Sequence, residues 1–289
     1  MYIYVPTGGF FTNPVVPNYF EPDEPYQITQ MKKFLLLSLL SLFFSQRVIS
    51  QDIKSLKQDR LTDRQTLTDD FMTWYTYTYN NVHLSQDFIG LGVDSGSIDK
   101  PTFLNKLLND KVYAFKIGTR GDKDVYKLYP LTSKDESIKA VINEMVSTEI
   151  QYYEMEGTQI PAFSFTDING AKYDNSSTKG KLLVLKCWFI HCVACVKEFP
   201  ELNKLVDSYN GNDNILFISL AIDKKDDLIK FLKTKKFKYA VVPEMKNFME
   251  HKLNVNQYPT HLLIDRTGTI VKVVNRIDDL VPSLEKASK

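Results

Sequence analysis

The sequence contains few cysteines and no excess of charge of either sign. Three cysteines in 289 residues exclude a disulfide-rich scaffold. The 36 Lys and Arg residues are balanced by 35 Asp and Glu residues, for a net charge of +1, so nothing in the charge indicates binding to nucleic acid. Hydrophobic residues make up 43% and charged residues 25%, which excludes a mostly disordered chain, a collagen-like chain and a multi-span membrane protein.

An apolar segment in the N-terminal part of the chain has the composition of a signal peptide. Lys32 and Lys33 precede residues 34–44, a run of eleven Phe, Leu and Ser residues. A membrane-spanning helix needs about 20 apolar residues, so this run is short for a span. We expect residues 31–50 to be a secretory signal peptide that exports the protein to the periplasm or another extracytoplasmic site, or that tethers it to the membrane if it is not cleaved.

A signal peptide normally begins at the N-terminus, but 30 residues precede this one. These residues contain no Lys or Arg and hold five of the 12 prolines. We therefore interpret Met31 as the true start and residues 1–30 as a non-native N-terminal extension.

Residues 51–155 predict an N-terminal α+β region of unknown function. The segment Phe71–Tyr79, rich in Thr and aromatic residues, favours a β-strand. Further strands are predicted over 88–93, 112–117 and 125–129, and helices from about 99 and over 135–153. We find no motif with recognisable chemistry here, and the aromatic residues are typical of an ordinary core.

Residues 156–289 predict a separate α/β domain. An almost continuous apolar run over 181–189 is typical of a central strand covered on both faces. A helix is predicted from Cys192 to about Tyr209, strands and helices alternate after it, and a hairpin over 260–274 completes the sheet. This order indicates a mixed central sheet with helices on both faces.

All three cysteines lie within nine residues, and two of them form the motif Cys192-Val193-Ala194-Cys195. The motif lies between the buried strand and the helix, and a helix N-terminus favours a thiolate. Residues three apart lie one helical turn apart, so the two sulfurs can form a disulfide. We expect Cys192, at the exposed end, to attack a substrate disulfide, and Cys195 to resolve the mixed disulfide that results.

A zinc site and a purely structural disulfide are the two alternative interpretations of this motif. Zinc takes four ligands, but only Cys187 and four histidines without paired spacing remain, so we predict no metal and no cofactor. A structural bridge that closes so small a loop would stabilise the fold little. Cys187, in the buried strand, is expected to be an unreactive apolar side chain rather than a third redox thiol. His191 either lowers the pKa of Cys192 or simply faces solvent.

Several further motifs surround the redox pair. They comprise Trp188 and Pro200 on either side of it, Pro161-Ala162-Phe163, the turn Asp167–Gly170, Lys179-Gly180-Lys181, Lys197-Glu198-Phe199-Pro200, and Tyr258-Pro259-Thr260 before a strand. Together they resemble the TlpA/ResA-type thiol-disulfide oxidoreductases of the thioredoxin superfamily, over about residues 157–289. The resemblance implies a thioredoxin fold and a redox-active disulfide between Cys192 and Cys195.

The same resemblance implies a substrate-binding site beside Cys192. Pro259 would follow a cis peptide bond, and Tyr258 and Thr260 would help to orient a substrate peptide in a strand-like contact. Trp188 is expected to pack beneath the turn and to complete this site.

The sequence departs from thioredoxin at two points. Val193-Ala194 separates the cysteines where thioredoxin has Gly-Pro, and Lys186 stands where thioredoxin has a buried acid. As in the ResA-type proteins, Glu198 is the alternative acid, one helical turn after Cys195. We expect Glu198 to carry protons to and from the Cys195 sulfur as a general acid and base. The alternative is that Glu198 is a solvated helix residue.

The implied function is the reduction of protein disulfides in the cell envelope. Disulfide-containing proteins would be the substrates, and a membrane-embedded thiol carrier would be the electron donor. A peroxiredoxin-like peroxide reductase is one alternative, but that chemistry uses a Thr three residues before the reactive Cys, where this chain has Phe189. The other alternative is a partner-binding envelope protein in which residues 51–155 recognise the partner and the redox site is secondary.

Overall fold

The computed structural model describes residue 64 and residues 66–289, and Thr66–Lys289 form one compact unit. The predicted signal peptide (31–50) and the predicted extension (1–30) lie outside the described residues. Within the part that is described, no helix is both long enough and apolar enough to cross a membrane.

Residues 71–155 pack three helices against a small four-stranded sheet. The elements are α1 (Phe71–Asn81), β1 (Phe88–Leu91), β2 (Ser97–Ile98), α2 (Lys100–Asn109), β3 (Val112–Arg120), β4 (Lys123–Pro130) and α3 (Glu136–Met155). The strand order is β2-β1-β4-β3, with β1 parallel to β4 and the other neighbours antiparallel. The β3–β4 turn contains Gly121, whose φ of +64° favours glycine. The region has the predicted α+β character.

Residues 71–81 form a helix, and the strand predicted for Phe71–Tyr79 was wrong. Asp70 caps this helix by accepting a hydrogen bond from the backbone N–H of Thr73 (2.7 Å). Trp74 and Thr78, four residues apart, form the buried face of the helix. A capping Asp and a buried face with helical spacing therefore outweigh the β propensity of the Thr and Tyr residues.

Residues 164–289 form an α/β domain around a five-stranded mixed sheet. The elements are β5 (Ser164–Thr166), β6 (Lys172–Asp174), β7 (Leu182–Trp188), α4 (Val193–Lys197), α5 (Phe199–Ser208), β8 (Ile215–Ala221), α6 (Lys225–Leu232), β9 (Ala240–Val242), α7 (Lys246–His251), β10 (Thr260–Ile264), β11 (Ile270–Val274) and α8 (Ile277–Ser288). The sheet order is β11-β10-β7-β8-β9. Strands β7, β8 and β9 are parallel, and β10 is antiparallel to both β7 and β11.

Successive residues of the central strand β7 point to opposite faces of the sheet. Leu183 and Leu185 share a core with side chains of α3 and α7. Leu182 and Val184 share another core with side chains of α5 and α8. Helices therefore cover both faces of the mixed sheet, as predicted for the thioredoxin fold.

The long helix α3 contributes to the cores of both regions. Ile142 and Val146 lie in the core of the N-terminal sheet, whereas Tyr152, near the end of the helix, lies in the core of the C-terminal domain. The Tyr152 hydroxyl is 2.7 Å from Oγ1 of Thr260, at the start of β10. The boundary predicted after residue 155 thus falls at the end of a helix that both cores share.

Candidate active site

Cys192 and Cys195 form a disulfide at the start of α4, with their Cα atoms 5.2 Å apart. Cys192 is the N-cap residue of α4, and its Sγ accepts a hydrogen bond from the backbone N–H of Cys195 (3.2 Å). Cys192 is 8% exposed and Cys195 is fully buried. Cys192 is therefore the less buried of the two cysteines, and its role as the attacking residue stays a prediction.

Strand β7, which leads into the active-site turn, is buried, and side-chain contacts fix its end and the loop that follows. Every residue of β7 is buried. Trp188, its last residue, packs edge-to-face on Phe199, with ring centroids 5.0 Å apart. After the strand, the backbone N–H of Ile190 donates to a carboxylate oxygen of Asp223 (2.8 Å), two residues beyond the end of the neighbouring strand β8. Asp223 thus fixes the loop before Cys192, a role that the sequence analysis missed.

The helix predicted from Cys192 to Tyr209 consists of two helices. It is divided at Glu198, which is at once the C-cap of α4 and the N-cap residue of α5. Pro200, in the first turn of α5, has no backbone N–H and so favours the start of a new helix at this point. The division directs Glu198 towards the sheet rather than into solvent, and its side chain is only 13% exposed.

Glu198 contacts two buried polar side chains of the central sheet. Lys186 and His261 lie directly opposite each other on the antiparallel strands β7 and β10, so their side chains share one face of the sheet. Lys186 Nζ is 2.5 Å from Glu198 Oε2, and His261 Nε2 is 3.1 Å from the same oxygen. The other carboxylate oxygen accepts a hydrogen bond from the backbone N–H of Ile277 (3.2 Å). Glu198 is therefore not the solvated helix residue considered as its alternative role.

The charges in this cluster follow from burial and pairing. Burial by itself would raise the pKa of Glu198, but the hydrogen bond from His261 and the charge of Lys186 outweigh it and lower the pKa to about 2. Burial lowers the pKa of His261, and the charge of Lys186 lowers it further. The imidazole is therefore neutral at pH 7, and it stabilises the carboxylate through its Nε2–H. Burial also lowers the pKa of Lys186, while Glu198 opposes this effect.

The loop before β10 has the geometry that the sequence predicts. The peptide bond between Tyr258 and Pro259 is cis. Tyr258 packs edge-to-face on Phe189, with ring centroids 5.6 Å apart, and it contacts the apolar cluster that contains both redox cysteines. The proline loop therefore lies beside the disulfide.

Two of the predicted substrate-binding side chains are buried. Trp188 and Thr260 are both 0% exposed. The Thr260 hydroxyl hydrogen-bonds the backbone carbonyl of Gln257 (2.6 Å) and lies against the hydroxyl of Tyr152. Both side chains therefore support the turn and the proline loop from beneath, as expected for Trp188. A contribution of Thr260 to substrate binding would have to come from its backbone and stays a prediction.

The remaining cysteine and the neighbouring histidine occupy different environments. Cys187 is a free, fully buried thiol, and burial raises its pKa to about 12. It is thus the unreactive apolar side chain that was predicted. His191 is exposed.

Comparison with known proteins identifies the family. Residues 157–273 match the AhpC/TSA family. The thiol-disulfide oxidoreductase ResA of Bacillus cereus is 30% identical over 119 residues, which cover 41% of this chain and 68% of the relative. ResA of Bacillus subtilis is 29% identical over 119 residues, or 41% of this chain and 66% of the relative. The chain belongs to the ResA-type thiol-disulfide oxidoreductases.

Solved structures of similar proteins each cover slightly less than half of the chain. The thioredoxin domain of a thiol-disulfide oxidoreductase from Bacteroides vulgatus is 26% identical, with a TM-score of 0.41, over 45% of this chain and 96% of that one. A thiol-disulfide oxidoreductase from Bacteroides fragilis is 20% identical, with a TM-score of 0.41, over 45% of this chain and 98% of that one.

For a thiol-disulfide oxidoreductase, the geometry of the turn has a direct chemical consequence. The cap position of Cys192 places its sulfur at the positive end of α4, where a backbone N–H already donates to it, so the thiolate is favoured once the disulfide is reduced. The disulfide also joins a slightly exposed residue, Cys192, to a fully buried one, Cys195, which favours exchange at Cys192.

Proposed function

We propose that this oxidoreductase reduces disulfide bonds in other proteins outside the cytoplasm. The observation that carries the proposal is the asymmetric pair. Cys192, which is 8% exposed, caps a helix, Cys195 is fully buried behind it, and the Pro259 loop lies beside it. A reductase needs one sulfur that a protein substrate can reach and a second that resolves the mixed disulfide from within.

The reaction proceeds in two exchange steps. The Cys192 thiolate attacks one sulfur of the substrate disulfide, forms a mixed disulfide and releases the other substrate sulfur as a thiolate. The Cys195 thiolate then attacks the Cys192 sulfur, closes the Cys192–Cys195 disulfide and releases the second substrate sulfur as a thiolate. Two electrons pass to the substrate, whose two released thiolates each take up a proton, and the enzyme is left oxidised.

The oxidised enzyme then needs a source of electrons. With export through residues 31–50, we propose a membrane-embedded dithiol carrier as the donor, which reduces the Cys192–Cys195 disulfide and becomes oxidised itself. The composition of residues 31–50 supports the extracytoplasmic site.

Three residues around the turn have proposed roles in these steps. Tyr258 and Pro259 orient the substrate segment beside Cys192. Glu198 lies one turn after Cys195 in the sequence of the helix. Because it is ionised, it is in the form that accepts a proton from the Cys195 thiol. Because its pKa is low, Glu198 is a weak base, and we expect a contribution below that of a well-matched general base.

Cysteine variants of the full chain test the assignment. The reduced protein should reduce the disulfides of insulin, and Cys192→Ser should abolish this activity because the nucleophile is lost. Cys195→Ser should accumulate mixed disulfides with the substrate because no thiol remains to resolve them. Capture of substrate by Cys192→Ser but not by Cys195→Ser would mean that the two roles are reversed.

The reduction potential of the pair tests the direction of electron flow. A value near about −270 mV, as in thioredoxin, would support a reductase, whereas a value near about −120 mV would make the protein an oxidant. Peroxide consumption is measured in parallel. Rapid turnover of peroxide without reduction of insulin would favour the peroxide reductase instead.

A further inference from the structure

A cleft of about 720 Å³ lies between the active-site turn and the N-terminal region. Ala194, Tyr258 and Pro259 line it on the side of the redox centre, and side chains of α1 and α3 line it on the other side. The volume is in the range of sites that bind ligands specifically. The wall formed by α1 and α3 lies outside residues 157–273, the segment that matches the family. This chain therefore adds its own surface to the redox centre.

The cleft is lined by more acidic than basic side chains. Three of its carboxylates are engaged: Glu198 with Lys186 and His261, Asp278 with Arg276, and Asp279 with His83. Three others, Glu144, Glu149 and Glu201, form no ion pair with any described residue. Lys197 is the cation in the lining that no described residue pairs. The cleft thus complements a cationic ligand.

Two polar side chains of the wall, Thr78 and Glu149, are buried and line the cleft. Thr78 is 7% exposed, and its hydroxyl has no hydrogen-bond partner among the described residues. Glu149 is 8% exposed and forms no close ion pair within residues 66–289, although the charges of Lys100 and Lys272 act on its carboxylate. Burial raises the pKa of Glu149 to about 7. A buried hydroxyl without a partner is costly, and an ammonium or guanidinium group that enters the cleft would remove this cost by donating a hydrogen bond to Thr78.

A second groove, of about 740 Å³, also borders the turn and has the opposite charge. Its lining includes Lys197, Lys235 and Lys236 and contains no carboxylate. The two sides of the active site therefore prefer substrates of opposite charge, and an experiment can distinguish them.

We propose that the cleft between α1, α3 and the proline loop binds an extended segment of the substrate protein next to its reactive cysteine, with a Lys or Arg side chain of that segment directed at Glu149 and Thr78. This inference rests on the proposed function, since it assumes that the enzyme acts on protein disulfides. It adds a substrate class, namely disulfides flanked by basic residues, and it assigns substrate recognition to the N-terminal region.

Rates of reduction of matched peptides test the proposal. The reduced full chain is mixed with peptides of one length that each carry a disulfide to a small thiol. The peptides differ at one position, which is Lys, Gln or Glu, and this position is moved stepwise away from the cysteine. At the best position we expect the Lys peptide to react about fivefold to tenfold faster than the Gln peptide, as for a partly desolvated charge pair.

Glu149→Gln should bring the ratio of the Lys rate to the Gln rate close to one. Glu154→Gln, which removes the same charge from an exposed position of α3 outside the cleft, is the matched control and should keep the ratio. If Glu149→Gln does not fold, the exposed rim residues supply the same test, because Glu144→Gln combined with Glu201→Gln should lower the ratio as well.

Several outcomes would overturn the proposal. Equal rates for the Lys and Gln peptides at every position would do so, as would an equal loss of preference in Glu149→Gln and Glu154→Gln. A faster Glu peptide would assign docking to the lysine-lined groove. Loss of the preference on addition of calcium at constant ionic strength would indicate a metal site instead. If neither insulin nor any peptide is reduced, the proposed function itself fails; if all are reduced at equal rates, only the inference about the cleft fails.

Discussion

Glu198 forms a buried ion pair, so its substitution should lower the stability of the protein as well as its activity. Lys186 is fully buried and lies 2.5 Å from Glu198, whose side chain is 13% exposed. Removing one member of a buried pair is costly because it leaves the other charge uncompensated. The residue is thus structural as well as close to the redox centre.

Glu198→Gln should destabilise the protein by about 3–5 kcal/mol, since it leaves Lys186 unpaired. The folded-state pKa of about 2 is below the ordinary value of 4.5, so the stabilisation by Glu198 is complete above about pH 4.5 and is lost as the pH falls towards 2. Urea unfolding at neutral and at acidic pH measures both effects. Lys186→Met combined with Glu198→Gln should recover much of the loss, and equal stability of the single and double variants would contradict the pairing.

Glu198→Gln should also slow disulfide exchange, by about tenfold, which is less than the roughly 10²–10⁴-fold of an efficient general base. The reason is that an acid with a pKa of about 2 is ionised but only weakly basic at neutral pH. Rates of insulin reduction over a range of pH test this expectation, with Asp207→Asn, an exposed acid on α5, as control. Superimposable pH–rate profiles for Glu198→Gln and the unaltered protein would exclude any role in proton transfer.

At the scale of residues, the sequence predicts the two cysteines, the cis proline and Glu198, because each belongs to a short motif. It does not predict that His261 joins Glu198. Lys186 and His261 are polar residues in otherwise apolar strands, and this was a usable signal. Their contact depends on the register between β7 and β10, which brings residues 75 positions apart opposite each other. That register is set by tertiary pairing and cannot be derived from local sequence.

At the scale of elements, α1 shows how capping can decide between helix and strand. Asp70→Ala should lower the thermal midpoint by a few degrees, because the backbone N–H of Thr73 loses its acceptor. Asp70→Asn should retain most of the stability, since Asn is an equally good cap. Thermal unfolding followed by circular dichroism compares the three proteins, and an equal loss in both variants would mean that the charge, and not the cap, matters.

The strands of the C-terminal domain follow the sequence closely, whereas helix boundaries around the active site do not. An apolar run of the length of β7 has few other interpretations once a sheet is expected. The division between α4 and α5 depends on Pro200 and on the contacts of Glu198 with the sheet. A local pattern of apolar residues continues across that division, so periodicity alone predicts one helix.

At the scale of the whole molecule, α3 links the two regions through one rigid element. A helix of 20 residues spans about 30 Å, long enough to contact two cores. Ile142 lies in the N-terminal core, and Tyr152 lies in the core of the C-terminal domain, where its hydroxyl contacts Thr260. His83 of the N-terminal region also pairs with Asp279 of α8 (2.7 Å). Unfolding of either core would therefore remove the packing of one end of α3, and the other core also depends on that helix.

We expect residues 66–289 to unfold in one transition for this reason. The chain has two tryptophans, and they report on different regions: Trp74 lies in the N-terminal core and Trp188 beneath the active-site turn. In Trp188→Phe only Trp74 reports, and in Trp74→Phe only Trp188 reports. Circular dichroism gives the unfolding midpoint of each variant, and relative to that midpoint the two fluorescence changes should occur at the same urea concentration. Ile142→Ala, added to each, creates a cavity in the N-terminal core that costs about 2–5 kcal/mol and should shift both reporters equally. A shift of Trp74 alone, with Trp188 unchanged, would mean that the two regions fold independently and that α3 does not couple them.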